Sequence, residues 1–168
     1  MLYALTVLGW DQPGNYILGE QALRSFLEAQ RNGIHFLEDN EVETEYPLRA
    51  IQALNYGVVG SSAAGEFSKF TARRLMSGKP IHVIVKFSGS EDSPQEQRWS
   101  DLLVCEHLAV ATIADTLQMN APVSRIYQFA GRTFYEVDRF DRHGEFGRSG
   151  VCSWNELNAA LFGLAGSW

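Results

Sequence analysis

The spacing of apolar and polar residues divides the chain into a helical first third and a mixed remainder. Residues 19–31 carry Leu23, Phe26, Leu27 and Gln30 at helical spacing, and Asn32-Gly33 closes the run as a C-cap. The acidic stretch 38–45 reads as a loop. Helical spacing resumes over residues 46–56, with Pro47 suited to a first turn and Gly57 to a stop. From Val58 the period shortens. Val58-Val59, a glycine-containing stretch and residues 67–75 predict a hairpin with a wide tip. Residues 81–87, IHVIVKF, are the clearest strand, β-branched and bounded by Gly78-Lys79-Pro80 and Ser88-Gly89-Ser90. After a polar loop over 91–97, residues 99–120 predict one long helix, with Ser100 as N-cap and Asn120-Ala121-Pro122 ending it. Residues 123–129 and 133–140, around a turn at Ala130-Gly131-Arg132, predict a second hairpin. A loop over 144–150 and a helix starting near Ser153 complete the pattern. Helices followed by a strand–helix–strand–strand block predict an α+β fold, a small antiparallel sheet with packed helices.

Composition narrows the class. With 168 residues, 45% of them hydrophobic, one substantial core is expected, and one compact domain with a helical part (1–57) and a sheet-bearing part (58–168). The net charge of −6 argues against a surface that grips nucleic acid by its phosphates. Cys105 and Cys152 stand far apart with no metal-ligand spacing around them, as reduced thiols of a cytoplasmic protein would. No apolar run approaches the ~18 residues of a membrane span, and MLYALTVLGW lacks the basic start and cleavage site of a signal peptide. Both ends are apolar, which predicts a piece of something longer.

Three stretches could carry chemistry. In GSSAAGEFSKF, Gly60 and Gly65 have the spacing of a P-loop, but Glu66 stands where that motif needs lysine. Its small residues suit an anion-binding nest or an ordinary hairpin tip. Lys86 lies near the end of the clearest strand, on the face shared with Ile84 and His82. Glu106 follows in the long helix, where Leu102, Glu106, Ala109, Ile113 and Leu117 step by three or four and place it within an apolar stripe. A carboxylate there needs a cation, and Lys86 is the one the strand offers. That is a structural ion pair, or the pair by which kinases hold a lysine on the α- and β-phosphates. Glu136-Val-Asp-Arg-Phe-Asp-Arg142 is a charged strand terminus, or a segment joining a nucleotide-binding sheet to a second lobe. A small-molecule hydrolase using His143 or Cys105 has little in its favour, since the sequence places no base beside a nucleophile.

Together GSSAAGEFSKF, IVKFS, RWSDLLVCEHLA, EVDRFDR and the earlier WDQPGNYILGE resemble the HipA family of serine/threonine kinases, the toxin half of bacterial toxin–antitoxin pairs, and within it the YjjJ/HipH-type branch. The resemblance runs from about Gly9 to Gly163. It implies a protein-kinase-like N-lobe in which residues 58–168 bind ATP, with Mg2+ ligands and the catalytic base in a C-lobe beyond these residues. A protein substrate and an antitoxin are the implied partners. Ser62, with Ser61 adjacent, matches a loop serine whose phosphorylation switches the family's kinases off, and Gly65 and Lys69 belong to the same loop motif. Lys86 matches the lysine that contacts the nucleotide phosphates. Glu106 falls near the helix glutamate, and Asp138, Arg139 and Phe140 match the hinge that contacts adenine. Ala64 and Phe67-Ser68 depart from the family's loop pattern. No HxDxxxxN or DFG-like run follows Arg142, so no catalytic residue is expected among these positions. The alternative is a non-catalytic binding module related to such lobes.

Overall fold

The computed structural model describes residues 9–55 and 68–163. In chain order the elements are α1 (Glu20–Asn32), a 3-10 turn (Asp39–Glu41), α2 (Val42–Asn55), β1 (Lys69–Met76), β2 (Lys79–Phe87), α3 (Pro94–Asp115), β3 (Ser124–Phe129), β4 (Arg132–Asp138), β5 (Arg142–His143), β6 (Gly147–Arg148) and α4 (Trp154–Phe162). The first four strands form one antiparallel sheet in the order β1-β2-β4-β3, and β5-β6 is a small separate hairpin. The mixed α+β class expected from the pattern is therefore present.

Both main hairpins close with two-residue turns whose residues all take positive φ: Ser77 and Gly78 between β1 and β2, Ala130 and Gly131 between β3 and β4. That left-handed pair matches the strand twist, which is why so short a turn suffices. Register then assigns the faces. Phe70, Ala72 and Arg74 of β1 stand opposite Val85, Val83 and Ile81 of β2, while Val85 and Phe87 stand opposite Glu136 and Phe134 of β4. This face meets α2, and Val42, Tyr46, Ala50 and Leu37 complete a buried core with Phe70, Val83, Val85, Phe87 and Phe134. The other face carries Lys69, Thr71 and Arg73 against Lys86, Ile84 and His82. There α3 packs over β4 and β3, burying Leu103.

Several expected boundaries shift. The acidic stretch 38–45 is helical from Asp39 on, with Glu38 as its cap, rather than a loop. The side chain of Glu38 accepts from the third turn residue while Glu41 reaches back to the Glu38 amide, and α2 follows directly. Pro47 consequently lies inside α2 rather than in its first turn. The long helix begins at Pro94, capped by Ser93, and ends at Asp115. Ser100 is not its cap but hydrogen-bonds Thr133 of β4 at 2.6 Å. The expected stripe is one position off: Leu103 is buried, whereas Leu102 and Ile113 are exposed, and Leu117 lies beyond the helix. The loop over 144–150 contains the β5–β6 hairpin. The expected helix at Ser153 is present, capped by that residue. The expected wide-tipped hairpin falls mostly on residues 56–67, outside the described part; its second strand is β1.

Candidate functional site

Two ionic networks fasten the sheet before any open site begins. On the α2 face, Glu136 is fully buried and accepts from Arg74 at 2.5 Å, from Arg125 at 2.9 Å and from the Tyr46 hydroxyl. Arg74 also pairs with Asp39, and Arg125 with Asp138 at 2.7 Å. Burial, and then the neighbouring Glu136 charge, push the Tyr46 hydroxyl well above its usual pKa, so it stays a neutral donor. The network ties α2 to strands β1, β4 and β3.

The second network joins the start of the described chain to the run that follows β4. Arg139 and Arg142 each bind Asp141 at 2.8 Å, and both reach Asp11, at 2.8 and 3.2 Å. Gly14 donates its N–H to Asp141 at 2.8 Å, and Arg142 returns a bond to the Gly14 carbonyl at 2.7 Å. Burial would raise the Asp141 pKa, but bonds from Arg139 and Gly14 and the two guanidinium charges outweigh it and hold the group at about 2. The charged run after β4 is thus a clamp on residues 11–14. Sequence reasoning missed Asp11, Asp141 and Arg142 here; the only signal was the recurrence of charge in both motifs.

The opposite face carries the expected lysine. Lys86 Nζ lies 2.6 Å from Glu106 Oε1, a strand cation meeting a carboxylate of the following helix. Their side chains are 25% and 35% exposed, so Glu106 sits on the flank of α3 and not under it. A local clamp sets this geometry. After β2, the Gly89 amide donates to the Glu96 carboxylate at 2.6 Å, and Arg132 binds the Ser88 carbonyl at 2.8 Å. A Cβ at Gly89 would collide with that carboxylate, so glycine here lets the Glu96 side chain close onto the strand end.

Lys69 stands directly opposite Lys86 in the β1–β2 register, and it is buried. Burial, then the Lys86 charge, lowers its pKa, with Glu106 opposing. Among the described residues it has no hydrogen-bond acceptor. Like charges directly opposed across a strand pair repel, so two ammonium groups sharing one carboxylate form a place where an anion would be welcome. On the other side of Lys86, Tyr135 of β4 puts its ring 5.6 Å from Nζ, and burial followed by Glu106 pushes its hydroxyl up to about 12.

The structure therefore brings together Lys69, Lys86 and Glu106. Asp138, Arg139 and Phe140 lie at the far end of β4, Asp138 opposite Val83 in the register. The Asp138 and Arg139 side chains are engaged in the networks above, and their N–H groups bond Val123 and His82 carbonyls at 2.9 and 2.8 Å. Phe140 is 75% exposed. Ser61, Ser62 and Gly65 lie outside the described residues. His143 does meet a hydroxyl, Ser149 at 2.6 Å, contrary to the expectation that no base neighbours a nucleophile; the pair is exposed and bridges the β5–β6 hairpin. Cys105 and Cys152 are free and exposed. No helix among the described residues is long and apolar enough to cross a membrane, and no cluster among them could hold a metal ion.

Fold and site together define a mixed α+β protein whose small antiparallel sheet presents paired lysines, one of them bound to a helix glutamate. No family model matches the sequence, and no solved structure matches the chain. The chain is 33% identical over 169 residues to toxin YjjJ of Escherichia coli strain K12. It is a distant relative of that named toxin and spans 38% of its length.

Proposed function

We propose that this chain is the nucleotide-binding lobe of a HipA-like serine/threonine kinase of the toxin–antitoxin type. The observation that carries the reading is the 2.6 Å pair between Lys86 at the end of β2 and Glu106 in the next helix. Kinases use such a pair to hold the lysine against the α- and β-phosphates of ATP. The buried Lys69 beside it, which has no hydrogen-bond acceptor among the described residues, fits a second phosphate contact. Ile84 and Val137 face each other one register step away on the same face, between Lys86 and the hinge candidates Asp138, Arg139 and Phe140, which suits an adenine ring. In this reading Ser61, Ser62 and Gly65 belong to a phosphate-covering loop, with Ser62 as the residue whose phosphorylation would repel nucleotide. The bound Mg2+ would be held by ligands elsewhere in a longer parent protein, which transfers the γ-phosphate to a protein serine or threonine in the cytoplasm under control of an antitoxin. The toxin name of the relative supports this class.

A non-catalytic binding module is the second reading, and the apolar surface of α4 favours it: Trp154 is 85% exposed, and Leu161 and Phe162 on the same helix are exposed too. Calorimetric titration with Mg-ATP separates the two. The kinase-lobe reading expects saturable binding that Lys86→Met abolishes. Absence of binding both in this chain and in its full-length parent would overturn it.

A further inference from the structure

A second basic cluster lies four residues along β1 from Lys69, about 13 Å at the usual strand rise. Arg73 projects on the same face, opposite His82, and its guanidinium lies 4.5 Å from the Trp10 ring centroid. Beside it is a cavity of about 90 Å³ whose lining includes Asp11, Arg49, Thr71, Arg73, His82 and Arg139. Most of these charges are already matched. Asp11 and Asp141 are two carboxylates against the two guanidiniums of Arg139 and Arg142. Arg49 Nε meets Glu45 at 3.4 Å, and His35, which also borders the cavity, meets Glu41 at 3.6 Å. His82 Nε2 lies 3.1 Å from the carbonyls of both Gly144 and Glu145 and so carries its proton there; burial keeps the ring neutral.

Arg73 is the charge left over. Among the described residues its side chain has no hydrogen-bond acceptor. Burial lowers its pKa; Asp11 opposes this, while Arg49, Arg139 and Arg142 add to it, so a guanidinium that stays charged sits in a largely positive setting. Its backbone points the same way. The Arg73 carbonyl accepts from the Leu37 amide at 2.8 Å on the outer edge of β1, so its own N–H faces that edge too, without a partner among the described residues. The Trp10 ring fixes one face of the guanidinium and leaves its edge open to the cavity.

We propose that this cavity is an oxyanion site that takes a single phosphate monoester or free phosphate, bound by Arg73 and Arg49 with the Thr71 hydroxyl as a further donor. A planar guanidinium with open N–H groups matches phosphate oxygens two at a time. The cavity is far below the ~300–1,000 Å³ that encloses a drug-sized ligand, so it admits one phosphoryl group and not a whole nucleotide. The proposal does not rest on the kinase reading, because it shares no residue with the Lys86–Glu106 pair.

The test titrates the chain with inorganic phosphate and, separately, with O-phosphoserine at constant ionic strength, following Trp10 fluorescence and phosphorus NMR linewidth. Saturable binding is expected, with Arg73→Gln weakening it at least tenfold and Lys79→Gln, at the exposed tip of the β1–β2 hairpin, changing it less than twofold. Binding of phosphate alone assigns the site to the free anion, and binding of both assigns it to a phosphorylated side chain as well. Should Arg73→Gln fail to fold, Arg49→Gln is expected to weaken binding about fivefold. No saturable binding by either probe overturns the proposal, as does wild-type affinity in a folded Arg73→Gln or Arg49→Gln protein. Loss of ATP binding in Lys86→Met with phosphate binding intact shows that the two sites are independent.

Discussion

Removing the Lys86 charge should separate stability from binding. In Lys86→Met the methionine keeps most of the stem and loses the ammonium, leaving Glu106 without its partner at 2.6 Å. Were the pair buried, stranding the carboxylate would cost about 3–5 kcal/mol. Here a quarter of one side chain and a third of the other meet solvent, so water takes over the lost contact and the cost falls to about 0.5–1 kcal/mol. For a domain of this size that lowers Tm by roughly 1–4 °C. In the kinase-lobe reading, nucleotide affinity should respond far more strongly. A hydrogen bond to a charged phosphate is worth about 1.5–3 kcal/mol, or roughly 10- to 150-fold in Kd. The assays are thermal unfolding by circular dichroism and calorimetric titration with Mg-ATP on the same preparations. Glu106→Gln, and the double variant, complete a cycle in which the two losses of affinity should be less than additive. A Tm drop above about 8 °C with unchanged ATP affinity would refute the reasoning and make the pair a structural brace.

Three further outcomes follow from other parts of the molecule. Glu136→Gln removes the buried carboxylate shared by Arg74, Arg125 and Tyr46 and should cost about 3–5 kcal/mol, measured by urea unfolding; a loss under 1 kcal/mol would show the network to be dispensable. Gly89→Ala should expel the Glu96 carboxylate and cost about 1–2 kcal/mol, and the same change in a Glu96→Ala background should cost little, since the colliding group is already gone. Asp141 has its folded pKa depressed from 3.8 to about 2, so its contribution is complete above pH 4 and fades as pH falls through 2. That contribution is roughly 2–3 kcal/mol, and a Trp10 fluorescence change in that window should vanish in Asp141→Asn.

Elements whose signals are local were legible in the sequence. The strand IHVIVKF, the turn at Ala130-Gly131 and the Ser153 cap all follow from short-range rules, and the structure contains each. The start of α3 was also within reach. Ser93-Pro94-Gln95-Glu96 is a capping serine, a first-turn proline and an acid three residues on, but the polar composition of 91–97 concealed it. The same holds for Glu38 and Glu41 before α2. The Lys86–Glu106 pair was anticipated through a stripe that proved wrong by one position. Leu103 takes the buried place, and Glu106 reaches the lysine from the flank. What no local rule could supply is pairing across distance. Glu136 gains Tyr46 from 90 residues away, and Asp141 gains Gly14 from 127 away. Each run shows its own charges, while the choice of partner belongs to the closed sheet.

The clamp on residues 11–14 has a consequence for the order in which the chain matures. The two main hairpins bring neighbours together over short loops and can form quickly. Arg148, by contrast, holds the Trp10 carbonyl across 138 residues. During synthesis at about 5–20 residues per second, roughly 7–28 s separate the emergence of Trp10 from that of its last partner. For that interval Trp10 has only Arg73 to stack on, and Asp11 waits for Arg139 and Arg142. A nascent chain of this protein is therefore exposed to capture by chaperones at residues 10–14 until the β5–β6 hairpin has left the ribosome.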